Sequence, residues 1–293
     1  MKTSSNLVRD CRKYYASELE KIYGSDEANA LIIILLEHYF GIDRVKLAME
    51  PELRLSESEM LTLHFAVKEL LKNKPVQYIM GETEFCGMRF LVDENVLIPR
   101  PETEEMVQMI VVRTGCDVET DGRPSILDIG SGSGCIAISL AKLLKNSIVT
   151  AVDISEKALE IAKKNAEANG VDVRFVLDDI LNPQNPELLD NQFDIIVSNP
   201  PYVCESEKSE MRANVLDYEP STALFVSNND PLIFYRKILE FAQKTLKPNG
   251  QVWFEINEKF GPEMKNLCHE KGFKNVEIIK DFRDRDRILR STR

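Results

Sequence analysis

The sequence predicts an α/β chain in which a mostly parallel sheet follows a small helical bundle and a β-hairpin linker. Three observations carry this. From residue 96 onward, apolar strand-like runs alternate with helical segments, the pattern of a parallel sheet covered on both faces. Residues 4 to 72 instead repeat apolar side chains at helical spacing, and from Pro75 the pattern turns to β-type content. The expected domains are 1–74, 75–95 and 96–293.

Leu7, Cys11, Tyr15, Leu19 and Ile22 recur every three or four positions; Gly24 stops that helix, Ser25 caps the next, and Gly41 ends it. The run "SESE" at 56–59 is a capping box that opens a third helix, "MLTLHFAVKELL". No chemistry is visible in these helices. The stretch "QYIMGETEFCGMRFLVD", with Gly81 and Gly87 as turn residues, reads as a hairpin between domains. Strands are expected near 125–129, 148–153, 172–177, 193–198, 251–256, 275–280 and 286–290, with helices between most of them. Such sheets bind ligands outside the carboxyl ends of their strands.

Composition excludes several function classes. A chain of 293 residues with 43% hydrophobic content buries a sizeable core, and no apolar run approaches the ~18 residues of a membrane span. "LIIILL" at 31–36 is cut by Glu37. The N-terminus lacks an apolar signal region and carries Asp10 early, so a cytoplasmic protein with no membrane partner is expected. Cysteines 11, 86, 116, 135, 204 and 268 form no CxxC pair, and His38, His64 and His269 are isolated. Reduced thiols, no metal site and no histidine base follow. The net charge of -11 argues against direct binding of nucleic acid, with "DFRDRDRILRSTR" as a local exception.

The segment "SILDIGSGSGCIAISLA" at 125–141 is a strand, a glycine-rich turn and a helix. Gly130, Gly132 and Gly134, interleaved with Ser131 and Ser133, let a ligand approach the backbone. The spacing is GxGxG, and Asp128 would place negative charge beside a phosphate, so the turn suits a cationic or neutral ligand better than a dinucleotide. "TAVDIS" ends the second strand in Asp153, placed to accept from both ribose hydroxyls. "VLDDI" ends the third, where Asp179 is placed to accept from an adenine amino group and Ile180 to pack on the ring. For both acids the alternative is a helix N-cap. Together the set resembles the S-adenosylmethionine site of Rossmann-like class I methyltransferases, a family whose seven-stranded sheet ends in an antiparallel strand.

At the end of the fourth strand, "FDIIVSNPPYV" stops in two prolines that have no amide hydrogen for a sheet. Asn199-Pro200-Pro201-Tyr202 resembles the signature of methyltransferases acting on planar, conjugated nitrogens. Such a nitrogen needs positioning more than a base. The resemblance assigns the Asn199 side-chain oxygen and the Pro200 carbonyl as acceptors for the substrate NH2, with Asn199 also near the cofactor. It assigns Pro201 to rigidity and Tyr202 to packing against the planar group. DNA and RNA amino-methyltransferases use the same motif and are the nearest alternative.

Further stretches narrow the choice. "PVQYIMGETEFCGMRFLVDENVLIPRPETEEMV" at 75–107, "DIGSGSG", "SNPPY" and "YEPSTALF" at 218–225 closely resemble the release-factor glutamine methyltransferases of the HemK/PrmC type. The run "KDFRDRDRIL" keeps Asp281 and Arg287 but lacks a glycine often found between them, which leaves the shape of that turn open. The resemblance implies methyl transfer from S-adenosylmethionine, giving S-adenosylhomocysteine. It implies as acceptor the side-chain amide nitrogen of the glutamine in the Gly-Gly-Gln loop of bacterial peptide-chain release factors. The helical N-terminal domain would hold that protein substrate.

Overall fold

The computed structural model describes residues 5–117 and 123–293, apart from the side chains of 115–117, so the thiol expected at Cys116 lies outside the described residues. The chain divides into two units. One runs to Gly81 and includes Arg212–Tyr218; the other comprises Glu82–Met211 and Glu219–Arg293.

The first unit is helical. Helix α1 (Val8–Phe40) leaves helical geometry at Gly24 (φ 76°, ψ 166°) and ends at Gly41 in the left-handed conformation. Helix α2 is Arg44–Met49. In α3 (Glu57–Leu70) the capping box forms as the sequence expects, Ser56 and Glu59 each bonding the other's backbone amide. Leu7, Cys11, Tyr15 and Leu19 are buried, whereas Ile22 is 44% exposed. The apolar spacing therefore ends one turn before the glycine. The expected β-type content does not begin at Pro75: Val76–Met80 forms helix α4, with Pro75 at its N-cap and Gly81 left-handed at its C-cap. Residues 212–218, expected within 96–293, pack with the helices instead. There Tyr218 donates its hydroxyl to the Lys72 carbonyl (2.9 Å).

In the second unit, strands β1 (Glu82–Phe85) and β2 (Met88–Leu91) form an antiparallel hairpin. Its two turn residues, Cys86 and Gly87, both have positive φ (50° and 69°), as a tight hairpin turn demands. Phe85 and Phe90 are buried in the core of this unit. After α5 (Pro101–Asp117) come β3 (Ser125–Ile129), α6 (Cys135–Leu143), β4 (Ile148–Asp153), α7 (Glu156–Asn169), β5 (Arg174–Leu177), α8 (Pro186–Leu189) and β6 (Phe193–Ser198). Then follow β7 (Val203–Cys204), α9 (Ala213–Leu216, in the helical unit), α10 (Ser221–Leu224), β8 (Phe225–Val226), α11 (Ile233–Thr245), β9 (Leu246–Glu255), α12 (Gly261–Glu270), β10 (Lys274–Lys280) and β11 (Asp286–Thr292).

Seven of these strands build one sheet in the order β10-β11-β9-β6-β3-β4-β5. All neighbours are parallel except at β11, which runs antiparallel to both β9 and β10. This is the expected seven-stranded class I methyltransferase sheet. Successive strand residues serve opposite faces: Ile195 and Val197 enter a core with α5 and α6, while Ile196 enters one with α11 and α12. Burial on both faces explains why the strands read as continuous apolar runs. The parallel order also brings the carboxyl ends of β3, β4, β5 and β6 to one edge. Among the described residues no helix is long and apolar enough to cross a membrane.

Candidate active site

The turn after β3 is built by backbone bonds: the Gly130 and Ser131 amides both donate to the Val152 carbonyl (2.9 and 3.1 Å), and Gly134 N donates to Ser131 O (2.8 Å). Gly134 also has a packing reason. A Cβ there would lie 2.9 Å from Ile138 Cδ1 and 3.1 Å from the Ala162 methyl. Asn165 on α7 steadies the turn, donating to the Ser133 carbonyl (2.9 Å) while its other contacts hold Leu91 of the hairpin.

A cavity of about 570 Å³ opens along this edge. Gly130, Ser131, Gly132, Ser133, Asp153, Asp179, Ile180, Asn199, Pro200 and Pro201 all line it; Gly134 and Tyr202 are not among its lining residues. Asp153 is no N-cap, since Ser155 caps α7. Its two carboxylate oxygens accept from Gly132 N (2.8 Å) and Ser155 N (2.9 Å), which leaves lone pairs on each. Asp179 accepts from Leu181 N (2.9 Å) in a local turn.

The lining suits a nucleoside carrying positive charge. Glu94, Asp153, Asp178 and Asp179 contribute carboxylates, and among the described residues the only cationic side chain on the lining is Arg100, which is paired with buried Glu219 (2.5 Å). The buried hydroxyl of Ser131 and Oδ1 of Asp128 have no partner among the described residues. Asp128 is fully buried, and burial pushes its pKa up to about 7, with Asp153 adding to the rise against a bond from Ala137 N. It therefore carries only part of the negative charge that the sequence reading gives it. The backbone of the glycine turn on the cavity wall and the acid-rich lining fit S-adenosylmethionine.

Beyond the motif lies a buried polar group that sequence reasoning misses. Asn199 Nδ2 donates to Thr103 Oγ1 (3.2 Å), Thr103 donates to Glu255 Oε2 (2.5 Å), and the Tyr202 hydroxyl donates to Glu255 Oε1 (2.9 Å). Thr103 and Glu255 are 2% and 1% exposed. Burial leaves the Glu255 pKa raised, although bonds from Thr103 and Tyr202 and the charge of Arg287 oppose the rise. Burial and the adjacent Glu255 charge hold the Tyr202 phenol well above its usual pKa, so it remains a donor. Tyr202 is not on the cavity lining, and the described partner of its hydroxyl is Glu255. The signal for Glu255 is a lone acid inside the apolar strand "QVWFEI", and Thr103 lies in "IPRPETE".

A family model described as methyltransferase small domain matches residues 117–217, and one described as PrmC N-terminal domain matches residues 10–81. The chain is 45% identical over 284 residues to release factor glutamine methyltransferase of Flavobacterium psychrophilum, covering 97% of this chain and 98% of that one. It is 44% identical over 280 residues to the protein of the same name from Bacteroides thetaiotaomicron, covering 96% and 98%. A solved methyltransferase from Pyrococcus furiosus superposes with a TM-score of 0.51 at 23% identity, over 77% of this chain and 96% of that one, a likeness of fold alone.

Proposed function

The chain belongs to the release factor glutamine methyltransferase family and is a methyltransferase, and from that premise we propose that it methylates the side-chain amide nitrogen, N5, of the glutamine in the Gly-Gly-Gln loop of bacterial release factors. The observation that carries this reading is the placing of Asn199 and Pro200 on the wall of the cavity that the glycine turn also lines. S-Adenosylmethionine, when bound, supplies an electrophilic methyl group.

The chain's own residues do the rest. The glycine turn and Asp153 hold the nucleoside, Asp153 through lone pairs left over from its two backbone bonds. Asp179 and Ile180 are assigned to the adenine. A carboxamide nitrogen is a weak nucleophile because its lone pair is delocalised, and its N–H is too weakly acidic for a side-chain base at neutral pH. Two acceptors, Asn199 Oδ1 and the Pro200 carbonyl, bind its two hydrogens and turn the lone pair toward the methyl carbon; the methylated nitrogen, now acidic, gives up one of those hydrogens as a proton to solvent. The prolines stiffen the backbone that carries these acceptors, since neither can rotate about φ. The helical unit is assigned to recognition of the release factor.

The test is incubation with isotopically labelled S-adenosylmethionine and a bacterial release factor, beside its loop Gln-to-Ala variant and duplex DNA. Label confined to the loop peptide of the unaltered factor supports the reading; label in DNA, or equal label in the Ala variant, overturns it.

A further inference from the structure

An amide side chain orients a substrate amide only if its own oxygen faces the right way. Rotating Asn199 by half a turn would exchange oxygen for NH2 with almost no change of shape, presenting donors to a substrate group that is itself a donor. The structure contains a device that decides between the two. Two hydroxyls converge on the two oxygens of Glu255, which as a carboxylate only accepts, so the single Thr103 proton is committed to it at 2.5 Å. Toward Asn199, Thr103 then offers only a lone pair, which pairs with N–H (3.2 Å) and repels oxygen. The Asn199 oxygen takes no hydrogen bond from the described residues, and Asn199 lines the cavity.

We propose that Thr103, with Glu255 behind it, is a positioning residue that fixes the polarity of the Asn199 amide and so makes Asn199 an obligate acceptor. The proposal rests on the reading of Asn199 given above. Glu255 serves two hydroxyls at once, Thr103 on one oxygen and Tyr202 on the other. A glutamine there has one accepting oxygen and satisfies only one of them. The Tyr235 hydroxyl, donating to the Glu255 backbone carbonyl (2.9 Å), holds the strand end beneath the pair.

The experiment compares Thr103→Val, which keeps the shape and removes the hydroxyl, with Thr103→Ser, which restores it. Both are assayed with labelled S-adenosylmethionine and a purified release factor, and cofactor affinity is measured by calorimetry. Thr103→Val is expected to lower kcat about tenfold, the worth of one such hydrogen bond. KM for the release factor and cofactor affinity should stay within about twofold, as for a loss of alignment alone. Thr103→Ser is expected within about twofold of wild type in kcat, and Glu255→Gln is expected to fall with Thr103→Val. Full turnover by Thr103→Val, or a Ser variant no better than Val, overturns the proposal. A wild type that leaves the release factor unlabelled overturns the earlier reading instead. One measurement needs neither substrate nor variant: in protein labelled with 15N-asparagine, the Asn199 side-chain hydrogen that faces Thr103 should exchange at least about tenfold more slowly than those of exposed asparagines, a protection of the size one hydrogen bond gives. An unprotected amide overturns the proposal.

Discussion

Oδ2 of Asp153 accepts the amide hydrogen of Gly132 at 2.8 Å, tying the end of β4 to the glycine turn after β3. One carboxylate thus shapes the turn and, on the proposed reading, binds the ribose. Asp153→Ala removes both, and cofactor affinity should fall by about 2 to 4 kcal/mol, in the range of one to two charge-assisted bonds. Titration calorimetry checks this. Unchanged affinity would remove the ribose assignment.

Asp128 supplies a prediction about stability. Its folded pKa of about 7 stands above the ordinary aspartate value of 3.8, so between these limits the native state keeps a proton that the unfolded chain has released. That stabilisation is full below the unfolded pKa and is lost as pH rises through the folded one. Without cofactor, raising the pH from about 5.5 to about 8 should cost about 2 kcal/mol through this group. Asp128→Asn removes the titration, so its stability relative to wild type should improve by about that amount over the same interval. Urea denaturation at the two pH values gives the answer, and a constant difference would refute it.

Parts of this molecule are legible in the sequence for a physical reason. The strands at 125–129, 148–153 and 193–198 are buried on both faces, so their apolar runs have no competing reading. The glycine turn and the strand-ending prolines announce themselves through backbone chemistry. Less is readable where structure depends on distant partners. Thr103 and Glu255 meet across 152 positions, and the bond leaves no local pattern. Residues 212–218 have too short a helix to show periodicity. The turn lacking a glycine resolves in another way: Asp284 adopts φ 62°, a conformation that aspartate tolerates better than most residues, and Asp281 closes the turn by accepting from the Arg283 and Arg285 amides.

The helical unit offers a test of its proposed recognition role. Leu61 and Phe65 lie one turn apart on α3 and are 48% and 59% exposed. An exposed aromatic ring beside a leucine is the kind of anchor that protein contacts use. Phe65→Ser should raise KM for the release factor about fivefold, near the usual threshold for an interface residue. Cofactor affinity should not change. Steady-state kinetics with varied release factor decides it, and an unaltered KM would exclude this face from recognition.

Asn199→Asp tests the acceptor to the level of a proton. The Thr103 hydroxyl has one hydrogen, already committed to Glu255. The carboxylate of the Asn199→Asp variant would therefore face a lone pair where the amide had an N–H (3.2 Å), with a second buried carboxylate just beyond. Like charge and burial both raise the pKa of the new acid. Once protonated, its O–H replaces the N–H toward Thr103 and its carbonyl faces the cavity, reproducing the wild-type polarity. While ionised, it also places negative charge near the bound sulfonium, stabilising the ground state more than a transition state in which that charge is being lost. Asn199→Asp should thus keep cofactor affinity, lose most of its turnover near pH 8, and regain turnover as pH falls. Asn199→Ala, with no acceptor, should lose on the order of 100-fold at every pH. Single-turnover rates from about pH 8 to about pH 6 check the pair. A flat profile for Asn199→Asp, or wild-type speed for Asn199→Ala, would show that Asn199 does not orient the nucleophile.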